Sequence, residues 1–240
     1  MKDYRAGEVI LIHKPLTWTS FQVVNKMKYI IRSWERSKKN GEIPWLKIGH
    51  AGTLDPLATG LLIVCTGKQT KNIETYQAQE KEYTGTFFIG ATTPCYDLEK
   101  EIDQRFPTDH ITEELIIETA KKFTGTIQQT PPLFSAIWID GKRAYDIARE
   151  GKTAEIKSKE ITISEFEITR IALPEVDFRV VCSKGTYIRS LARDFGEALK
   201  SGAHLTALCR TRIGDYKLSD ALSLEEFESM LKADSVSDLK

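Results

Sequence analysis

Three glycines and a proline crowd into Gly49-His50-Ala51-Gly52-Thr53-Leu54-Asp55-Pro56-Leu57-Ala58-Thr59-Gly60, and the chain leaves them through Leu61-Leu62-Ile63-Val64-Cys65. Those five apolar residues are the longest such run in the sequence. They are too few for a membrane helix, which takes about 20 residues, and suit a buried strand. The stretch before them, entered from Leu46–Ile48, reads as a loop. Glycine admits left-handed backbone and close approach to a ligand. Pro56 restricts Asp55 to an extended conformation, which fixes where the carboxylate points. The plain alternative is a surface loop whose Asp closes an Asx-type turn.

Around this segment, strands and helices alternate without a repeat. Val9–His13 reads as a strand. Phe21, Val24, Met27, Ile31 and Trp34 recur at helical spacing, which predicts an amphipathic helix over 20–34. Ser37–Gly41 is a polar, basic loop. Tyr83–Ile89 alternates as a strand does, and 112–123 reads as a helix. After the break at Thr130-Pro131-Pro132, a strand is expected at Ser135–Ile139, a turn at Asp140-Gly141 and a short helix at Arg143–Glu150. Strands at about 156–171 and 176–182 flank Pro174, and Thr186–Leu199 reads as a helix. Ser223-Leu-Glu-Glu226 has the pattern of a capping box opening a last helix, to about residue 232. The expected fold is α+β, with a mixed, largely antiparallel sheet flanked by helices. No Ser/Gly/Pro linker divides the 240 residues, so a single domain over 1–240 is expected.

The 34 basic and 34 acidic residues cancel, which excludes a globally basic histone-like binder and an acidic disordered chain. The distribution is uneven. Residues 1–80 hold 12 Lys/Arg against 7 Asp/Glu, and residues 171–215 hold 7 against 5, while 81–125 and 216–240 are acidic. A polyanion-facing side is compatible with that pattern, and so is a solvated helix face. Cys65, Cys95, Cys182 and Cys209 form no C-x-x-C pair, and the four histidines lack metal-ligand spacing. No metal site is expected. Walker A, H-E-x-x-H and G-x-S-x-G patterns are all missing. A lone Asp can still act as a nucleophile without a metal. With no apolar span and no signal peptide visible, the expected location is cytoplasmic.

Two further segments stand out. Cys182-Ser-Lys-Gly-Thr-Tyr-Ile-Arg-Ser-Leu-Ala-Arg193 reads as strand, glycine turn and helix start, with Tyr187 on the first turn and Arg189 one turn inside. Its plain reading is a surface helix with solvated Lys184, Arg189 and Arg193. Between Pro131 and Arg149, basic residues interleave with Phe134, Trp138 and Tyr145, a mix suited to RNA contacts or to a core.

Together these segments resemble the TruB family, the bacterial tRNA pseudouridine-55 synthases. GHAGTLDPLATG at 49–60 is similar to that family's catalytic motif, His13-Lys14-Pro15 to its opening Lys-Pro motif, and Lys81-Glu82-Tyr83 to its aromatic site strand. SKGTYIRSLARDFG at 183–196 is similar to its arginine motif, and Gly202–Arg210 to its late motif. The resemblance implies a pseudouridine-synthase catalytic fold with a central RNA-binding cleft. It implies Asp55 as the nucleophile, Arg189 as its partner, and Tyr83 stacked on the target uracil and a candidate general base. His50, Tyr187 and Leu208 would line the pocket or touch the flipped nucleotide, and Lys14 belongs to the same substrate-binding set. It implies tRNA, through its T-arm stem-loop, as partner, with no cofactor, no membrane and no obligate protein partner. Phe134 and Trp138 stand where a Tyr and a Lys are common in the family, which bears on particular RNA contacts. Longer members continue into a PUA domain, and none is expected here. The rival reading is a non-catalytic RNA-binding or tRNA-folding protein that recognises the same arm. Asp55 separates the two, because a pure binder gains nothing from a fixed carboxylate facing phosphates.

Overall fold

A computed structural model describes residues 3–38, 45–135, 137–139, 141–144, 147, 150 and 155–237. The chain begins with β1 (Val9–Lys14), α1 (Ser20–Lys38), β2 (Ile48–His50), β3 (Ala58–Thr66), α2 (Ile73–Ala78) and β4 (Lys81–Ile89). The short strands β5 (Ala91–Thr92) and β6 (Gln104–Arg105) precede α3 (Glu113–Lys122) and β7 (Gly125–Gln129). A two-residue pair follows, β8 (Trp138–Ile139) with β9 (Lys142–Arg143), then the long hairpin β10 (Lys159–Ala172) and β11 (Glu175–Cys182). The last elements are α4 (Ile188–Ala198), β12 (Ala203–Ile213), β13 (Tyr216–Lys217) and α5 (Leu224–Ser237). The registers of β1–β3, β2–β3, β7–β10, β10–β11 and β12–β13 are antiparallel, and Ile12 makes a parallel bridge to Leu222. The mixed, largely antiparallel α+β expectation holds. No described helix is long and apolar enough to cross a membrane.

Two compact units divide the chain: Met1–Lys81 with Cys209–Lys240, and Glu82–Leu208. In the first, β3 lies beside β1, from Val9↔Cys65 to Lys14↔Gly60, and also pairs with β2. Leu62 and Val64 face a core built with Ile10, Ile12, Val23, Met27, Ile31 and Phe227, whereas Leu61, Ile63 and Cys65 pack with Ala51 and Ile213 on the opposite face. Both faces of β3 are therefore covered, which is why its sequence is continuously apolar instead of alternating. Thr19 and Gln22 exchange the two bonds of a capping box at the start of α1, and Ser223 and Glu226 do the same for α5.

The second unit carries β4, β11, β10 and β7 in that spatial order. Phe87 stacks on Phe178 at 4.2 Å, and Phe123, Phe166 and Phe195 close the cluster edge-on or tilted. Gly85 is required there: a β-carbon would sit 2.5 Å from the Ala207 carbonyl oxygen and 2.7 Å from the Phe178 ring.

Several boundaries differ from the sequence reading. α1 continues to Lys38, so Ser37 and Lys38 are helical, and residues 39–41 of the expected loop lie outside the described residues. Gly49 and His50 pair with β3 as part of β2, and β3 itself begins at Ala58, which shortens the expected loop to 51–57. Among the described residues of the strand expected over Ser135–Ile139, Trp138–Ile139 pairs, while Ser135 lies in a bend and its N–H donates to Leu133 O. Half of the expected helix at 143–150 lies outside the described residues; of the rest, Arg143 belongs to β9, and Ala144 and Ile147 are helical. α4 starts at Ile188, which makes Tyr187 its N-cap and Arg189 its second residue. β12 has no counterpart in the sequence pattern, because its small and polar residues conceal the strand period.

Candidate active site

Among the described residues, no group of three or more His, Cys, Asp or Glu side chains could hold a metal ion. The chemistry-bearing side chains instead sit on two backbone frameworks.

In the first unit the loop 51–57 is tied down along its length. Ala51 N–H donates to Ile63 O at 2.9 Å. The Ser20 hydroxyl accepts from Leu54 N–H at 2.9 Å and donates to Leu54 O at 3.3 Å. Ala58 N–H closes a turn on Asp55 O at 3.1 Å, with Pro56 at its second position, where the ring's fixed φ fits. Pro56 O accepts from Thr17 N–H at 2.8 Å and from Lys14 Nζ at 3.3 Å. Asp55 itself is half-buried.

Arg210 locks the base of this loop. It is 1% exposed; its Nε donates to Leu61 O at 2.8 Å and its Nη2 to Gly52 O at 3.0 Å. Gly60, at φ +109°, presses against the backbone of the same residue. Lys14 is fully buried, and its ammonium also donates to the carbonyls of Pro15 and Trp18. Burial pushes its pKa down to about 8, with Asp55 raising it and Arg210 lowering it. His50 is likewise held below its ordinary value, first by burial and then by Arg210, so its imidazole is neutral at physiological pH. Asp55, His50 and Lys14 thus share one framework.

Tyr83, Arg189, Tyr187 and Leu208 belong to the second unit. Tyr83 is buried on β4, and Leu208 is half-buried on β12. Arg189 is not the solvated residue of the plain reading but 6% exposed. Its Nη2 donates to Phe134 O at 2.8 Å and its Nη1 to Cys95 O at 3.3 Å, and its Nε lies 3.5 Å from the Asp97 carboxylate. Asp97 is itself buried. Arg193 packs over the Tyr96 ring at 5.1 Å and donates to Thr130 O at 3.1 Å. Sequence reasoning missed Asp97, Ser20 and the role of Arg210. Each acts through a partner remote in sequence, and Arg210 carried a signal only as the end of a motif.

The family model of the TruB family pseudouridylate synthase N-terminal domain matches residues 38–188, and that of the tRNA pseudouridylate synthase B C-terminal domain matches 189–239. The fold is thereby that of a pseudouridylate synthase. The chain is 63% identical to tRNA pseudouridine synthase B of Flavobacterium johnsoniae, over 96% of this chain and 99% of that one. It is 55% identical to the Phocaeicola vulgatus protein of the same name, over 99% and 98%. It belongs to the TruB family. Among solved structures, a Cbf5–Nop10–Gar1 complex aligns with TM-score 0.69 and 30% identity, over 94% of this chain and 54% of that one. An H/ACA RNP bound to a substrate RNA containing 2'-deoxyuridine aligns with TM-score 0.67 and 27% identity, over 96% and 56%.

Proposed function

We propose that this chain converts a uridine of the tRNA T-loop, nucleotide 55, to pseudouridine, with Asp55 as nucleophile and both compact units acting as one catalytic domain. The observation that carries the reading is the tethered Asp55 loop, in a chain whose named relatives, tRNA pseudouridine synthases B, match it over nearly their whole length. The reaction detaches uracil from its ribose, turns it and rejoins it through a ring carbon. The glycosidic C–N bond breaks and a C–C bond forms. The proton on that carbon leaves, and the freed ring nitrogen takes one up. No electrons and no external group are transferred, so the chemistry needs no cofactor.

The base is extruded from the T-loop at a cost of a few kcal/mol. Stacking on Tyr83 recovers about 1–3 kcal/mol. His50, as a neutral imidazole, fills the vacated space. Asp55 forms or stabilises a covalent intermediate, at the glycosidic carbon or at the uracil ring, and is then released. Arg189 keeps the carboxylate ionised and aimed, and the buried Lys14 adds positive potential beside it. Tyr187 and Leu208 complete the substrate contacts, and Tyr83 is the candidate general base.

The T-arm is the recognised element, and turnover needs no second protein in the cytoplasm. Incubating the purified protein with unmodified tRNA transcript and mapping pseudouridine tests this reading directly. Product at nucleotide 55 supports it. Stoichiometric tRNA binding without product returns the protein to the class of RNA binders.

A further inference from the structure

α4 starts without a cap of its own, because its N-cap, Tyr187, makes no side-chain capping bond. In a capping box, a Glu or Gln at the third helical position reaches back to the N-cap N–H. Here that position is Ser190, whose hydroxyl donates to Thr130 O at 2.8 Å instead. The bond to the N-cap comes from another element. Gln129, the last residue of β7 and completely buried, accepts from Tyr187 N–H at 2.8 Å and donates to Tyr187 O at 3.1 Å. The two bonds run in opposite directions between one amide and one residue's backbone, so they define both the orientation of the amide and the placement of Tyr187. Directly across the β7–β10 ladder from Gln129 stands Lys159. Its ammonium lies 4.7 Å from the centre of the Tyr187 ring, a cation–π distance. One register pair therefore grips Tyr187 twice, by its main chain and by its ring.

We propose that Gln129 and Lys159 are positioning residues for the isomerisation, acting as a cap supplied by the sheet that sets the first turn of α4 and, through it, Tyr187 and Arg189. The proposal rests on the reading that Tyr187 and Arg189 serve the reaction. Arg189 is only two residues beyond the gripped position, so a shift at Tyr187 is carried straight to the guanidinium. Ångström-scale displacements of positioned groups change rates by up to about 100-fold. Neither residue need touch RNA for this effect.

The test measures single-turnover rates and tRNA affinity for Gln129→Met, which keeps the volume and removes both bonds, and for Lys159→Met. Each is also placed in an Arg189→Lys background. Gln129→Met is expected to lower the rate constant about ten-fold with tRNA affinity nearly unchanged, and Lys159→Met about three-fold. In the Arg189→Lys background both effects should shrink, because the part of each loss carried through Arg189 is already gone. Losses that simply multiply, or full activity in both single variants, would overturn the proposal. If Gln129→Met does not fold, Gln129→Glu, which keeps only the bond from Tyr187 N–H, enters the same cycle with the same criterion. Asp55→Asn runs alongside: if it stays active, the underlying catalytic reading fails, whereas its inactivity with additive clamp variants defeats only the clamp.

Discussion

A β-carbon added to Gly60 would lie 2.3 Å from the carbonyl oxygen of Arg210 and 2.5 Å from its nitrogen. The strand that leaves the aspartate loop thus lies against the backbone of the residue whose side chain holds that loop's base. Gly60→Ala meets both a steric overlap and a backbone at φ +109° that L residues avoid. It should destabilise the protein by about 2–4 kcal/mol, read as a lower urea midpoint at unchanged m-value.

Asp55→Asn should abolish isomerisation and leave tRNA binding within a few-fold. The amide is nearly isosteric but a poor nucleophile. Pseudouridine mapping beside a binding titration checks both halves, and substantial turnover would remove the mechanism.

Arg189→Ala leaves Asp97 buried without the guanidinium beside it, a change that costs about 3–5 kcal/mol when a buried pair is broken. Arg189→Met combined with Asp97→Asn removes both charges and should recover most of the stability. It should not recover the rate, because the guanidinium that the proposed mechanism requires is still gone. Thermal midpoints and single-turnover rates on the two variants separate structure from catalysis.

Lys14 has a pKa of about 8 in the folded protein against 10.5 as the ordinary value. Between those pH values the unfolded chain holds the proton more tightly, so unfolding takes up a proton and this group makes stability rise with pH. The penalty of burying the charge is complete below pH 8 and is relieved by about 3 kcal/mol on reaching pH 10.5. Urea unfolding across that window should show the rise, and Lys14→Met should remove this contribution. An identical slope in the variant would show that Lys14 does not titrate there.

An isolated T-arm stem-loop should be a substrate, with a modest salt dependence. Each neutralised phosphate contributes about 0.9 to the log–log slope on duplex and about 0.7 on single strands. A chain of zero net charge, with its main basic excess in residues 1–80, should make few such contacts. Single-turnover kinetics on stem-loop and full tRNA across a salt series test this. A stem-loop that stays unmodified at saturating protein while full tRNA reacts would place essential contacts elsewhere.

How far the sequence carried depended on whether local pattern and tertiary role coincided. β3 was legible because burial on both faces leaves only apolar residues, and α1 because Val24, Met27 and Ile31 keep helical spacing. Asp55 stood out through Pro56 and the glycines, whose backbone demands are local. α4 starts two residues later than the sequence pattern predicts, because Thr186 looks like helix while the real cap comes from Gln129, far away in sequence. β12 escaped because Thr206, Ala207 and Arg210 interrupt any apolar alternation. Asp97 could not be paired with Arg189 from spacing alone. In each miss, the partner that decides the structure lies dozens of residues away.

Such distant partners also order the loop in time. Gly52 O waits for a guanidinium that is synthesised about 160 residues later. While the nascent chain is still emerging, β1, α1 and β3 can assemble, but the Asp55 segment has no Arg210 beneath it. The support beneath the carboxylate is therefore completed only once Arg210 has left the ribosome. The base of the loop thus depends on a segment made long after the loop itself.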